Sequence, residues 1–161
     1  MTQTPATSAA AAAGLDARVV VTAVPTSAEE SAALQGIGVG RLLRTIVIRR
    51  GADDYVFVLV PGGRQIDWRR LRTHLGKRRL SLPDADEAKA ATGYERGAIT
   101  PFGATTAWPV VADATIRDLG TVAIGAGARG TNLHVDAPAL LEALHATEAD
   151  VTSPAPPPDD A

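Results

Sequence analysis

Two apolar segments near the middle of the chain carry the pattern of paired β-strands. The segments LLRTIVIRR (42–50) and DYVFVLVP (54–61) are rich in β-branched residues, and the turn-forming sequence GADD lies between them. We therefore expect a β-hairpin. Because the second segment is apolar throughout, it is predicted to be buried on both faces of a sheet.

Further strand-like segments occur on both sides of this hairpin. Their β-branched residues end at proline, glycine or aspartate, as is typical of strands bounded by turns. They are ARVVVTAVP, AWPVVAD, GTVAIGAG, TNLHVD and the shorter RRLSLP.

Four segments have helical spacing instead. TSAEESAALQGIG has capping residues Thr26 and Ser27 and ends in glycines, and DADEAKAATG begins with a capping Asp84 and ends at Gly93. In the other two, apolar residues recur on one face. These are GGRQIDWRRLRTHLG, with Ile66, Leu71 and Leu75, and APALLEALHA, with Leu140, Leu141 and Leu144.

The order of these elements predicts the fold class. Helices and strands alternate irregularly, and several strands are joined by tight turns, which favours one mixed α+β domain over a doubly wound parallel sheet. We place this single compact domain at residues 16–147, built around a mixed sheet. Residues 1–15, with their alanine run, are expected to be a flexible leader, and residues 148–161, rich in proline and aspartate, a disordered tail.

Composition removes several classes of function. The chain of 161 residues has no cysteine, which excludes thiol nucleophiles, disulfides and cysteine-ligated metals, and its three histidines are scattered. We expect no metal and no cofactor. No apolar run is long enough to span a membrane, and the absence of cysteine is consistent with the cytoplasmic location that we expect.

Charge is distributed unevenly. Residues 41–80 hold 11 of the 16 basic residues although the net charge is −2. Such a segment is typical of a polyanion partner. A solvated, arginine-rich helix face explains the same pattern and stays open as an alternative.

Most motifs that suggest a catalytic or cofactor-binding site lack the neighbouring elements that such a site needs. GAGARG (125–130) matches a dinucleotide-binding motif, but the strand-like TNLHV follows it where a helix is needed. No serine stands in a nucleophile elbow. Asp113, at the end of a strand, is either a site residue or a turn-forming aspartate.

The segment GYERGAITPFG, residues 93–103, is called the glycine loop here. It holds three glycines and Pro101 but no histidine, cysteine or serine. Main-chain N–H groups fixed in such a loop can bind a carbonyl oxygen or an oxyanion without a side-chain catalyst. A purely structural crossover loop is the alternative.

Taken together, five segments resemble the YbaK/ProX-type aminoacyl-tRNA editing domains. They are TSAEESAALQGIGVGRLLRTIVIR, YVFVLVPGGRQIDWRRL, ATGYERGAITPFG, WPVVAD and VAIGAGARGTNLHV. The resemblance covers residues 18–146, and its most specific element is Gly97-x-x-x-Pro101. It implies a mixed curved sheet flanked by helices, and hydrolysis of the ester that joins an amino acid to the 3′ end of tRNA.

The resemblance also implies roles for individual residues. Arg44, Gly97 and Pro101 take the catalytic positions. Substrate binding is expected from Thr45, Ala98, Ile99, Thr100, Phe102, Asp113, Gly125 and Gly127. The acceptor end of tRNA is the expected partner, together with prolyl-tRNA synthetase, and its phosphates are expected to contact Arg64, Arg69, Arg70, Arg72, Lys77 and Arg78.

One position departs from the family pattern. Arg44 stands where the family has a lysine, in RTIV instead of KTLV. Arginine keeps the positive charge but cannot release its proton near neutral pH. The sequence therefore leaves two functions open: a deacylase for tRNA(Pro) that carries cysteine, alanine or a similar small residue, and a relative that binds tRNA or an aminoacyl ligand without cleaving it.

Overall fold

The computed structural model of the protein describes residues 3–156 and contains five α-helices and nine strands within that range. The helices are α1 Pro5–Ala12, α2 Ala28–Gln35, α3 Trp68–Leu75, α4 Ala85–Thr92 and α5 Ala137–Ala143. The strands are β1 Arg18–Val21, β2 Leu42–Gly51, β3 Asp54–Pro61, β4 Arg64–Ile66, β5 Val110–Asp113, β6 Thr121–Gly125, β7 Thr131–Asp136, β8 Thr147–Ala149 and β9 Thr152–Pro154.

Seven of the strands form one mixed sheet in the order β1-β7-β6-β2-β3-β5-β8. β2 pairs antiparallel with β3 and parallel with β6, while β3 pairs parallel with β5. A separate two-stranded sheet joins β4 to β9. The predicted hairpin and the predicted mixed α+β class, in one compact domain, are both confirmed.

The central strand β3 separates two layers of core. Phe57 and Leu59 point into one apolar cluster, and Val56, Val58 and Val60 point into the other. All five are fully buried. This confirms the prediction from the uninterrupted apolar run, because only a strand covered on both faces can bury both sets of side chains.

The helix boundaries follow the capping signals. The Ser27 side chain accepts a hydrogen bond from the Glu30 N–H at the start of α2, and Asp84 accepts one from the Glu87 N–H at the start of α4. Asp67 caps α3 in the same way. The predicted strand RRLSLP is reduced to one bridge, between Ser81 and Arg49.

The structure corrects the expectation of a flexible leader. Helix α1 begins at Pro5, and its Ala6 and Ala10 side chains are buried in the main core. The Thr4 hydroxyl donates a 2.6 Å hydrogen bond to the Ala126 carbonyl oxygen. Alanine side chains are small enough to let this helix approach its neighbours closely, so a run that resembled a linker forms a packed element.

The structure also corrects the start of the expected disordered tail, which was predicted at residue 148. β8 adds to the sheet edge beside β5, β9 pairs with β4, and Val151 between them is fully buried. Residues 148–156 are therefore part of the domain. The remainder of the predicted tail, 157–161, lies outside the described residues.

Candidate active site

A cavity of about 660 Å³ opens where β2 parts from β6. The ladder between these two strands contains only Leu42 with Ala123 and Leu43 with Ile124. Beyond that point β2 has no partner on this side until the single bridge between Arg49 and Ser81. The gap is lined by β2, the glycine loop, the turn between β6 and β7, the start of α2, Leu82 and Pro83 before α4, and Ala88 of α4.

The glycine loop places main-chain groups at this cavity through Gly97 and Ile99. Gly97 has φ +91°, a conformation that favours glycine. The Ala98 N–H is bonded to the Glu95 carbonyl oxygen, but the N–H groups of Gly97 and Ile99 have no hydrogen-bond acceptor within residues 3–156. A carbonyl oxygen that reached either group would supply its missing acceptor.

Three arginines, here called the arginine rim, line the same cavity: Arg44, Arg96 and Arg129. All three are exposed. Arg129 donates a 3.1 Å hydrogen bond to the Arg96 carbonyl oxygen, and Arg44 donates a 2.9 Å hydrogen bond to the Arg64 carbonyl oxygen. No aspartate or glutamate of the described chain lines the cavity, so its field favours an anion.

A buried polar chain supports the α2 side of the cavity. His134 contacts the Gln35 side-chain oxygen at 2.9 Å, and the Gln35 amide donates a 2.9 Å hydrogen bond to the Ser31 hydroxyl on the cavity wall. Burial lowers the pKa of His134, and the Arg18 charge beside it lowers that pKa further. His134 therefore connects β7 to α2 through the Gln35 side chain.

The structure separates the predicted catalytic and substrate-binding residues into two groups. Arg44, Thr45, Gly97, Ile99 and Gly125 line the cavity, where their contact with substrate stays a prediction. The other predicted positions do not line it; they are Ala98, Thr100, Pro101, Phe102, Asp113 and Gly127.

Several of the positions outside the cavity have structural roles. Thr100 and Phe102 are buried, and the Phe102 carbonyl oxygen accepts a hydrogen bond from the Tyr94 hydroxyl. At Gly127 an added Cβ would lie 2.8 Å from the Tyr94 ring, so this glycine is needed for packing. Pro101 is half-buried. The burial of these side chains is set by packing against the rest of the domain, which the motif does not record.

Asp113 is the clearest correction. It is fully buried, and its carboxylate accepts hydrogen bonds from the Thr115 N–H at 3.1 Å, from the Thr115 hydroxyl and from the Val151 N–H at 3.2 Å. Burial acts to raise the pKa of Asp113, but these bonds and one from Thr152 outweigh it and hold the pKa below its usual value. The residue fixes the C-terminal segment and does not reach the cavity.

Two of the arginines predicted to contact tRNA form side-chain hydrogen bonds within the protein. Arg64 donates to the Thr152 hydroxyl at 2.7 Å, and Arg70 donates to Asp150 at 3.1 Å. The remaining four have no ion pair or side-chain hydrogen bond within the described part of the chain, and they surround a shallow depression at the end of α3. This α3 cluster consists of Arg69, Arg72, Lys77 and Arg78.

Sequence reasoning missed Arg96 and Arg129. A usable signal was present, because each directly precedes a glycine, Gly97 or Gly130, in a glycine-rich segment. Both glycines have positive φ. The turns they form carry the preceding arginines to the same cavity.

Within residues 3–156, no group of three or more histidine, cysteine, aspartate or glutamate side chains is arranged to hold a metal ion. Likewise, no described helix combines the length and apolar character needed to cross a bilayer.

Comparison with known proteins identifies the family. The family model described as aminoacyl-tRNA editing domain matches residues 22–143. EbsC of Enterococcus faecalis, whose name assigns it provisionally as a Cys-tRNA(Pro)/Cys-tRNA(Cys) deacylase, is 26% identical over 127 residues, which cover 79% of this chain and 77% of EbsC.

Two further matches extend the comparison, one in sequence and one in fold. A proline–tRNA ligase of Thermosipho melanesiensis is 29% identical over 97 residues, which are 60% of this chain but only 17% of the ligase. A crystal structure described provisionally as a trans-editing enzyme for prolyl-tRNA synthetase superposes with a TM-score of 0.84 at 22% identity, over 95% of this chain and 99% of that one. The matched region includes β2, the glycine loop and the β6–β7 turn, so this chain belongs to the aminoacyl-tRNA editing domain family.

Proposed function

We propose that this protein is a deacylase that hydrolyses the ester between a mischarged amino acid and the 3′ end of tRNA. One observation carries the proposal: the cavity combines the arginine rim with the unbonded N–H groups of the glycine loop. The arginine rim fits the phosphates of an RNA end, and the N–H groups fit the carbonyl oxygen of an ester.

The chemistry follows from what lines the cavity. A water molecule attacks the ester carbonyl carbon, and the N–H groups of Gly97 and Ile99 stabilise the oxyanion that forms. The bond to the ribose oxygen then breaks, the ribose oxygen takes a proton, and a free amino acid and deacylated tRNA result. No titratable base of the described chain lines the cavity, so the protein acts by positioning and electrostatic stabilisation.

The substrate class follows from the relatives and from the cavity. EbsC is provisionally named for cysteine attached to tRNA(Pro) or tRNA(Cys), and another match is a proline–tRNA ligase. A volume of about 660 Å³ lies in the range of small-molecule sites and accommodates a terminal nucleoside with a small amino acid. Cysteinyl- and alanyl-tRNA(Pro) are the substrates we infer, with prolyl-tRNA synthetase as a partner in the same process.

One observation favours a second function, binding without hydrolysis. The Arg44 guanidinium donates to the Arg64 carbonyl oxygen, so its position is tied to β4. A side chain held there and unable to exchange a proton supplies charge but no acid–base chemistry. If the reaction needs that chemistry at position 44, the protein would retain tRNA without cleaving it.

The deciding experiment is a deacylation panel with cysteinyl-, alanyl- and seryl-tRNA(Pro), run with the wild type, Arg44→Lys and Gly97→Ala. We expect the wild type to release amino acid and Arg44→Lys to retain or raise the rate. Gly97→Ala is expected to lower kcat/KM at least tenfold, because a Cβ there would lie 3.3 Å from Arg129 Nε on a backbone with φ +91°.

Gly120→Ala is the matched control, since Gly120 also has positive φ but its added Cβ would meet nothing within 4 Å. Its activity should equal that of the wild type. If the wild type shows no turnover above spontaneous hydrolysis while still binding tRNA, the second function replaces the first.

A further inference from the structure

The unpaired part of β2, here called the open edge, faces the cavity with its main chain. Arg49 exchanges both of its backbone hydrogen bonds with Ser81, on the side away from β3. Because main-chain groups alternate in direction along a strand, Thr45 and Val47 turn their N–H and C=O groups to that same side. The pairing with β6 ends at Leu43, so both residues lack a backbone partner there within the described chain.

Thr45 adds a side-chain group to the open edge. Its hydroxyl oxygen is buried and is the single buried side-chain N or O atom of the described residues that has no hydrogen-bond partner. Leaving such a group unpaired costs about 1–3 kcal/mol. Thr45 lines the cavity, so a ligand seated there can supply the missing partner.

The charges around the cavity determine which part of a ligand fits the open edge. An aminoacyl ester carries an α-ammonium group, which needs acceptors and is repelled by the arginine rim. No carboxylate of the described residues lines the cavity. The acceptors of the open edge are therefore the suitable ones: the Thr45 hydroxyl and the carbonyl oxygens of Thr45 and Val47.

We propose that the open edge, with the Thr45 hydroxyl, receives the α-ammonium group of the aminoacyl ester and selects substrates whose amino group is free. This inference rests on the proposed function and deepens it. An N-acylated ester has no cation and a single N–H donor in that place. The open edge would therefore discriminate against esters that carry a blocked or peptide-linked amino group.

A binding experiment tests the inference independently of hydrolysis. The probes are two RNA hairpins of the tRNA(Pro) acceptor stem with alanine joined to the 3′ end by a non-hydrolysable amide, one with a free and one with an acetylated amino group. We expect the wild type to bind the free-amine probe at least tenfold more tightly, as one hydrogen bond to a charged group provides. Thr45→Val should lose most of that preference by weakening only the free-amine probe.

The controls separate this role from a structural one. Thr121→Val, an exposed strand position outside the cavity, should keep the wild-type preference, and Thr45→Ser, which retains the hydroxyl, should keep most of it. Thr45→Val should also melt no lower than the wild type, because it removes an unpaired hydroxyl. Equal affinity of the wild type for both probes, or equal weakening of both by Thr45→Val, would overturn the inference.

The same variants in the deacylation assay distinguish the two proposals. Absence of wild-type turnover together with a preference for the free-amine probe would sink the hydrolytic function and leave the amino-group site standing. Turnover without that preference would support the hydrolytic function and overturn the amino-group site.

Discussion

Asp113 illustrates how a strand-end carboxylate can serve stability alone. Its bonds reach Thr115 on the following turn and Val151 in the C-terminal segment, and Arg64 Nε lies 3.9 Å away. The carboxylate therefore joins β5, β4 and the β8–β9 connection. A buried charge is tolerated here because several donors replace the lost water.

At the residue scale we predict that Asp113→Asn lowers the free energy of unfolding by about 2–3 kcal/mol, since it replaces hydrogen bonds to a charged acceptor. The folded pKa of Asp113 is below its unfolded value of 3.8, so its contribution is present above that pH and is lost as pH falls. Urea unfolding of wild type and variant between pH 3 and pH 7 should show the difference shrinking toward the acid end.

Asp16→Asn, at an exposed position with no side-chain hydrogen bond in the described chain, is the control and should change stability little. Below the melting temperature, Asp113→Asn should leave the KM for aminoacyl-tRNA unchanged. A raised KM in a fully folded variant would restore Asp113 as a substrate ligand.

At the scale of elements, α1 supports the glycine loop. Gly103 has φ +67°, and an added Cβ would lie 2.5 Å from the Pro5 carbonyl oxygen and 2.9 Å from the Tyr94 hydroxyl. Tyr94 in turn donates to the Phe102 carbonyl oxygen. The N-terminal helix therefore presses on the C-terminal end of the loop, while Gly97 near its middle faces the cavity.

We predict that Gly103→Ala lowers both stability and deacylation, because the new methyl group must displace either α1 or the loop. Gly63→Ala controls for the cost of positive φ itself, about 1–3 kcal/mol, since Gly63 has φ +78° and its Cβ would meet nothing within 4 Å. Limited proteolysis should cut within residues 5–12 faster in Gly103→Ala than in Gly63→Ala. Equal cleavage of the two variants would show that α1 and the loop are independent.

At the scale of the whole molecule, the basic residues form two groups with different expected roles. The arginine rim borders the cavity, whereas the α3 cluster surrounds its own shallow depression. If both bind RNA, the rim holds the 3′ terminal phosphates and the α3 cluster holds phosphates further along the acceptor stem. Because the net charge of the chain is −2, basic residues must be concentrated locally to attract RNA.

We predict that Arg69→Gln with Arg72→Gln weakens tRNA binding and reduces the slope of log Kd against log salt concentration by about one per arginine. Binding of aminoacyl-adenosine, which lacks the stem, should not change. Arg117→Gln is the control because its exposed guanidinium is already paired with Glu148 at 2.6 Å. An unchanged slope would identify the α3 cluster as a solvated helix face.

Much of the architecture could be predicted because local rules decide it. The hairpin of β2 and β3, the burial of β3 on both faces and the caps at Ser27 and Asp84 each depend on residues close together in the chain. The packed helix α1 was not predicted, because its alanine-rich sequence is compatible with both a linker and a closely packed helix.

The candidate site was likewise predictable only in part. By itself the sequence determined the hairpin, the helix ends, the position of the glycine loop and the unusual Arg44, because composition and spacing along the chain set these. Only the tertiary structure decided that β2 loses its neighbour after Leu43, that Arg96 and Arg129 meet Arg44 at one cavity, and that Asp113 turns inward. The physical reason is that a cavity and a buried charge exist through contacts between distant segments, and no local pattern records which segments will meet.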